Sequence, residues 1–283
     1  MKFSCVTLED MNEPKLICSD VDRTLVTKNL LLPEENKRWV RNVVLEKHIP
    51  FCVVSGRFRG SVDPLVRLLD VPVVKCCFNG NYIQDGDDVL YDRPTDPEVV
   101  RKMLRFTRRK GMVNQIFDLD DWYTECNDGY WYDLQVKLSG KQGVVCDLDR
   151  LLDKWEKEGH RFYKLTPRSL DTGLVRIMVD TLRDAVGDVA DGFLSSESIL
   201  ETAPKGTDKA NAIPVLARRF SVTPDEIMAF GDFDNDLGML KASGFSVAMG
   251  NARPELKSVA SYVTDTCENA GVGKVIKKIF FGM

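Results

Sequence analysis

Two carboxylates and a hydroxyl lie close together in the sequence, directly after an apolar run. Asp20, Asp22 and Thr24 follow Leu16-Ile17-Cys18. Because side chains alternate along a regular strand, residues i and i+2 share a face, and these groups can converge on one small anion and one metal ion. Two adjacent carboxylates normally need a cation or a shared proton. Taken alone, the stretch is equally typical of an acidic surface turn.

Further polar groups follow other apolar runs and open a predicted helix. They are Ser55 and Gly56, then Lys205, then Asp232, Asn235 and Asp236. In open parallel sheets a ligand lies beyond the carboxyl ends of the strands, so these groups are expected to meet at one edge. Carboxylates suit a hard cation such as Mg²⁺, whereas hydroxyls, a lysine and helix N-terminal amides suit a phosphoryl group.

The elements that must position these groups alternate between apolar runs and amphipathic helices. Helices are predicted over Pro33 to Lys47, from about Ser61, over Thr207 to Phe220 with an irregularity at Pro214, and near Val272 to Ile279. Strands are predicted at Leu16 to Cys18, Phe51 to Val54, Val71 to Val74, Ile227 to Phe230, Phe245 to Met249 and Tyr262 to Thr264. This alternation indicates an α/β fold with a Rossmann-like parallel sheet and crossover helices.

The pattern changes between about residues 84 and 195. Helices are predicted after Asp96 and between Asp147 and Gly159, and strands at Phe162 to Leu165 and Leu174 to Val179. The sequence therefore predicts a core domain formed by residues 1–83 and 196–283, with an inserted α/β cap domain over residues 84–195. Aromatic and acidic residues at 120–123 and 130–133 either line a pocket in this cap or pack a small sheet.

Composition excludes several classes of protein. The 283 residues are 43% hydrophobic and 29% charged with a formal net charge of -4, so no basic footprint for nucleic acid is expected. Eight cysteines without C-x-x-C spacing indicate reduced core residues in a cytoplasmic protein. The first fourteen residues show no signal-peptide pattern. No stretch approaches the roughly 18 apolar residues that a membrane span needs. His48 and His160 have no partner at metal or triad spacing.

Five motifs together resemble one family. The order and spacing of the motifs resemble the haloacid dehalogenase-like hydrolases, and more narrowly the Cof-type subgroup, whose α/β cap is inserted after the second motif. The segment from Gly250 to Lys257 also resembles that subgroup. The motifs are Asp20-Val21-Asp22-Arg23-Thr24-Leu25, Val54-Ser55-Gly56-Arg57, Asn79-Gly80, Pro204-Lys205-Gly206 and Gly231-Asp232-Phe233-Asp234-Asn235-Asp236.

The resemblance implies roles for the acidic residues. Asp20 would attack phosphorus and form an aspartyl-phosphate, and Asp22 would act as general acid and then general base. Mg²⁺ would be held by the carboxylates of Asp20 and Asp232 and by the main-chain carbonyl of Asp22. Asn235 and Asp236 would hold metal-bound waters or orient the lysine.

The resemblance also implies a phosphate-binding set. Thr24, Ser55 with Gly56, and Lys205 would bind the phosphoryl oxygens, and Lys205 would offset the charge of Asp20. The implied enzyme is a Mg²⁺-dependent phosphatase acting on a small phosphorylated metabolite, such as a phosphosugar, with no nucleic-acid or membrane partner. A phosphosugar mutase and a catalytically silent regulatory protein are the alternatives.

Arg23 departs from the family pattern, which most often has glycine at this position. Its side chain either reaches a second anionic group of the substrate or is a solvated loop arginine.

Overall fold

A computed structural model of the protein describes residues 13–196 and 198–283. Residues 1–12, which include Cys5, lie outside the described residues. They make up most of the N-terminal segment in which no signal-peptide pattern was found. Within that part of the chain, no helix has both the length and the apolar character needed to cross a bilayer.

The described residues form fourteen strands and ten α-helices. The strands are β1 (Leu16–Ser19), β2 (Phe51–Val54), β3 (Val74–Cys77), β4 (Tyr82–Asp85), β5 (Asp88–Asp92), β6 (Val113–Phe117), β7 (Trp122–Thr124), β8 (Val144–Val145), β9 (Lys164–Arg168), β10 (Ala190–Ser196), β11 (Ile199–Pro204), β12 (Ile227–Gly231), β13 (Phe245–Ala248) and β14 (Tyr262–Val263). The helices are α1 (Glu34–Glu46), α2 (Arg59–Leu69), α3 (Pro97–Arg109), α4 (Tyr130–Ser139), α5 (Leu148–Glu158), α6 (Thr172–Val186), α7 (Ala212–Phe220), α8 (Leu237–Ala242), α9 (Pro254–Val259) and α10 (Gly271–Phe281).

The chain divides into two compact units. The first comprises described residues 13–56, 63–91 and 208–283, and the second comprises Arg57–Val62 and Asp92–Thr207 apart from residue 197. The cap was expected over residues 84–195. Apart from Arg57–Val62, the second unit starts later because β4 and β5 extend the sheet of the first unit, and it ends later because β11 pairs with β9 and β10.

The first unit contains an eight-stranded sheet in the order β14-β13-β12-β1-β2-β3-β4-β5. The strands from β14 to β3 run parallel, whereas β4 pairs antiparallel with β3. β1, β2, β12 and β13 are buried along their whole length, as expected for parallel strands covered on both faces. The predicted α/β fold with a parallel-sheet core is confirmed. Because β2, β1 and β12 are neighbours, their carboxyl ends meet at one edge.

The second unit contains a six-stranded sheet in the order β10-β11-β9-β6-β7-β8. One face of this sheet contributes Ile116, Leu165 and Leu200 to an apolar core. Side chains from α3, α5 and α6 complete that core. The predicted starts of α3 and α5 are confirmed, since Asp96 and Asp147 each accept backbone N–H bonds and α5 ends at Gly159.

Two local predictions are wrong. The segment from Leu174 to Val179 belongs to α6, whose buried residues Val175, Met178, Leu182 and Val186 recur at helical spacing. The expected irregularity at Pro214 is absent from α7, because this proline is the third residue of the helix and first-turn N–H groups need no intrahelical acceptor.

The aromatic stretch of the second unit packs against itself. Trp122 on β7 lies 5.0 Å from Tyr132 on α4, measured between ring centroids, and both are buried. The Tyr132 hydroxyl also donates to the carbonyl oxygen of Gly143. These contacts are those of structural packing.

Candidate active site

The end of β1 leads into a tight loop that fixes the first acidic motif. The Asp20 N–H donates to the carbonyl oxygen of Phe230 on β12 at 3.0 Å. The chain then turns, and the Val26 N–H donates to the Val21 carbonyl oxygen at 3.0 Å. The loop buries the Thr24 hydroxyl, which donates to Asp232 Oδ1 at 3.3 Å. Two of the separate motifs therefore meet at this edge of the sheet.

A buried lysine joins these two motifs, and it is Lys209. Its Nζ lies 2.5 Å from Asp20 Oδ1 and 2.6 Å from Asp236 Oδ1, and its side chain is only 1% exposed. A short 3₁₀ turn over Lys209–Asn211, capped by the carboxylate of Asp208, directs it inward.

The prediction that Lys205 offsets the charge of Asp20 is wrong. Lys205 belongs to the second unit, where its side chain is 52% exposed and its ammonium pairs with Asp191 at 3.0 Å. Its N–H donates to the carbonyl oxygen of Val189, at the end of the β10–β11 pair. This hydrogen bond holds Lys205 directly after β11, and the chain enters the first unit only at Asp208.

Asp236 has the bonding pattern of a positioning residue. Its Oδ1 accepts a hydrogen bond from the ammonium of Lys209. Its Oδ2 accepts hydrogen bonds from the backbone N–H groups of Asp232 at 2.9 Å and Phe233 at 3.0 Å. The side chain passes so close to Gly231 that a Cβ there would lie 2.5 Å from the Asp236 Cβ. A glycine is thus required at the end of β12, and Asp236 fixes both Lys209 and the backbone of Asp232.

The carboxylates of Asp20, Asp232 and Asp236 form a cluster with the buried ammonium of Lys209. One oxygen from each lies within 4.8 Å of the others. Burial raises the pKa of Asp20 to about 7 and the pKa of Asp232 to about 8, and the neighbouring carboxylates add to both shifts. Burial alone would lower the pKa of Lys209, but Asp20 and Asp236 hold it above its usual value.

This donor set fits a divalent cation. Three carboxylates lie beside one buried ammonium, and burial, together with this excess of negative charge, raises the pKa values of Asp20 and Asp232. Carboxylate oxygens are the ligands that Mg²⁺ prefers. Asp236 accepts short hydrogen bonds at 2.6–3.0 Å from Lys209 and two backbone N–H groups, whereas the hydrogen bonds to Asp232 are longer, at 3.2 and 3.3 Å. Asp20 and Asp232 are therefore the carboxylates better suited to a metal.

The remaining predicted residues occupy the loops beside this cluster. Asp22 is half-buried in the loop after β1 and is bridged to Val26. Ser55 is buried at the end of β2, where its carbonyl oxygen accepts the N–H of Asn79, and Gly56 follows it. The side-chain amide of Asn235 donates to Asn79 Oδ1 at 3.3 Å. The expected roles of Asp22, Ser55, Gly56 and Asn235 remain predictions.

Asn251 is a site residue to which the sequence assigned no role. Its Nδ2 donates to the carbonyl oxygen of Arg23 at 2.9 Å and lies 3.2 Å from Asp232 Oδ2. Its Oδ1 accepts the N–H of Cys267 at 2.8 Å. The side chain therefore ties the loop after β1 to Asp232. The only signal in the sequence was the resemblance of the segment that contains it.

Arg23 has a left-handed backbone, with φ of 60°. This region favours glycine, which explains why glycine suits the position. The side chain is about half exposed, and its Nε lies 3.7 Å from Asp232 Oδ2. Arg23 is therefore neither fully solvated nor part of the buried cluster.

We expect Arg23→Gly to be more stable than Arg23→Ala by about 1 kcal/mol, because both variants lose the side chain but only glycine relieves the left-handed strain. Chemical denaturation of the two variants measures this difference. Equal stability would show that the backbone is not strained at residue 23.

Comparisons with known proteins agree with this geometry. The family model described as haloacid dehalogenase-like hydrolase matches residues 17–276. The chain belongs to this family. The predicted family and its Cof-type subgroup are thereby confirmed, as is the prediction that the protein is an enzyme, a phosphoric monoester hydrolase.

Relatives of this haloacid dehalogenase-like hydrolase span nearly its whole length. A 5-amino-6-(5-phospho-D-ribitylamino)uracil phosphatase of Bacillus subtilis is 26% identical over 276 residues, covering 95% of this chain and 98% of the relative. An HMP-PP phosphatase of Citrobacter koseri is 26% identical over 262 residues, covering 91% and 93%. A haloacid dehalogenase-like hydrolase from Bacteroides thetaiotaomicron superimposes with a TM-score of 0.86 at 26% identity, covering 95% of this chain and 100% of that one.

Proposed function

We propose that this protein is a Mg²⁺-dependent phosphatase that hydrolyses a small phosphorylated metabolite through an aspartyl-phosphate on Asp20. The observation that carries the proposal is the buried contact of Asp20 with Lys209, at 2.5 Å, inside a cluster with Asp232 and Asp236. A lysine at this distance holds one carboxylate oxygen in place. The contact uses Oδ1, so the attack is assigned to Oδ2.

The first step transfers the phosphoryl group to the protein. Asp20 Oδ2 forms a bond to phosphorus while the bond from phosphorus to the ester oxygen breaks. Asp22 donates its proton to the departing oxygen, which leaves as an alcohol. The hydroxyls of Thr24 and Ser55, the backbone at Gly56 and the ammonium of Lys209 bind the phosphoryl oxygens.

The second step regenerates the protein. Asp22, now a carboxylate, takes a proton from a water molecule while the oxygen of that water attacks phosphorus. The bond between phosphorus and Asp20 Oδ2 breaks, inorganic phosphate leaves, and both aspartates return to their starting forms. Asp236 and Asn251 touch neither reacting atom in this scheme. Asp236 holds Lys209 in place, and Asn251 holds Asp232 in place.

Mg²⁺ would be held by Asp20, Asp232 and the main-chain carbonyl of Asp22. When bound, it supplies charge neutralisation between the anionic carboxylate and the anionic phosphate.

The names of the relatives support small phosphorylated substrates. One is named for a phosphoribityl-substituted pyrimidine and another for HMP-PP. A phosphosugar or a phosphorylated heterocycle of similar size is therefore proposed for this chain.

We expect the purified protein to release inorganic phosphate from an aryl phosphate only when Mg²⁺ is present. A chelator should abolish the release and added Mg²⁺ should restore it, because one ammonium does not neutralise the three carboxylates of the cluster together with an anionic phosphate. Phosphate release is measured with a colorimetric assay. Metal-independent turnover would contradict the proposal, as would interconversion of sugar phosphate isomers without phosphate release.

A further inference from the structure

The second unit contains a buried arginine whose hydrogen-bonding capacity is largely unused. The side chain of Arg168, on β9, is buried, with only 3% of the residue exposed. Its Nη2 donates to Gln135 Oε1, but Nε and Nη1 have no hydrogen-bond partner among the described residues. Leaving buried donors of a charged group unpaired is costly, so such an arrangement needs an explanation.

Two further buried atoms have no hydrogen-bond partner within the described part of the chain, and they lie on the same face of the sheet. These are Gln115 Oε1 and Thr166 Oγ1. In the antiparallel register of β6 and β9, Gln115 lies opposite Thr166 and Val113 lies opposite Arg168. Cross-strand partners share a face, and residues two apart along a strand share it too. This face, which we call the polar face, lies opposite the apolar core formed by Ile116 and Leu165.

The other charges on the polar face nearly cancel. Lys164 Nζ lies 3.0 Å from Glu201 Oε1, so these two residues pair with each other. The guanidinium of Arg168 has no carboxylate within salt-bridge distance among the described residues, and it lies 5.7 Å from the ring centroid of Trp131. Burial lowers the pKa of Arg168 to about 10, opposed by the charges of Glu201 and Asp128. The group is therefore cationic at neutral pH.

We propose that the polar face of the second unit binds the oxyanion group of a small molecule, with Arg168 as its cationic anchor. The unused nitrogens of the guanidinium are donors for carboxylate or phosphate oxygens. Gln115 Oε1 accepts only, so the ligand also carries a hydroxyl or amino donor beside its anionic group. The hydroxyl of Thr166 can donate a hydrogen bond to the anionic group or accept one from the donor beside it.

This chemistry has two sources. One is a separate anionic metabolite, to which we assign the oxyanion; the other is an anion that binds at the catalytic cluster itself. The inhibition pattern distinguishes them, because a separate metabolite changes the rate without competing with an aryl phosphate, whereas competition would contradict the assignment.

Calorimetric titration of the full-length protein with malonate, citrate and inorganic phosphate tests the proposal. It is done without Mg²⁺, so that binding at the catalytic cluster is weakened. We expect at least one of these anions to bind the wild-type protein and to bind Arg168→Met about tenfold or more weakly, as for a lost charge-assisted hydrogen bond. The matched control is Arg176→Met, on an exposed position of α6, which should bind like the wild type.

A second variant keeps the proposal testable if Arg168→Met does not fold. Thr166→Val keeps the shape of the side chain and should weaken binding a few-fold. If none of the anions binds the wild type, or if Arg168→Met binds as tightly as Arg176→Met, the proposal is overturned. Failure of the proposed phosphatase function is recognised separately, as absence of phosphate release from an aryl phosphate by a wild-type protein that still binds the anion.

Discussion

The Asp20→Asn variant is expected to lose at least about ten-thousand-fold in kcat for an aryl phosphate. The amide is nearly isosteric with the carboxylate but cannot attack phosphorus, so the covalent step is lost while the shape of the site is kept. Lys209 retains its contact with Asp236, and the substitution removes one of the three negative charges in the cluster. The fold should therefore survive. Initial rates and a thermal melt measure both effects.

Asp234→Asn is the matched control for this substitution. Asp234 lies in the acidic motif that contains Asp232 and Asp236, but its side chain is about half exposed and pairs with Arg253 at 2.6 Å. It should retain at least about half of the wild-type rate, because surface pairs contribute little. Equal rates in Asp20→Asn and Asp234→Asn would show that Asp20 is not the nucleophile.

Lys209→Met is expected to be the most destabilising of the substitutions considered. The change leaves Asp20 and Asp236 buried without their cation, which costs about 3–5 kcal/mol for a broken buried ion pair. Turnover should fall as well, because Asp20 loses the group that positions it. Denaturation in urea, in the presence of a chelator, measures the stability difference, and phosphate release measures the second effect.

Lys205→Met separates this interpretation from the one that the sequence favoured. The Lys205 side chain is half exposed and its ammonium pairs with Asp191, so the free energy of unfolding should change by no more than about 0.5 kcal/mol. Activity should be lost in the Lys209 variant and largely kept in the Lys205 variant. The reverse order would show that the buried contact of Lys209 is not the functional one.

The parallel sheet was predictable because its strands are buried on both faces. Such strands appear in the sequence as short continuous apolar runs, and the polar residue after each run marks the strand end. Asp20, Ser55 and Asp232 were found in this way, and the register of β2, β1 and β12 places them at one edge. Helix starts were predictable where a capping side chain lies beside the helix, as at Asp96 and Asp147.

What failed depends on contacts that are distant in sequence. Lys205 and Lys209 both precede an apolar helix, and only the point where β11 ends decides which of them turns inward. The limits of the second unit depend on which sheet β4, β5 and β11 join. The segment from Leu174 to Val179 is rich in β-branched and long apolar residues, and its helical period becomes clear only over the whole of α6.

Asp20 is proposed to become phosphorylated during turnover, and this covalent intermediate can be trapped. Borohydride added during turnover reduces an acyl phosphate to an alcohol, and peptide mass spectrometry then locates the modified residue. We expect the Asp20 side chain to be reduced to the alcohol of homoserine only when both substrate and Mg²⁺ are present. An unmodified Asp20 in a protein that turns over, or reduction at another carboxylate, would contradict it.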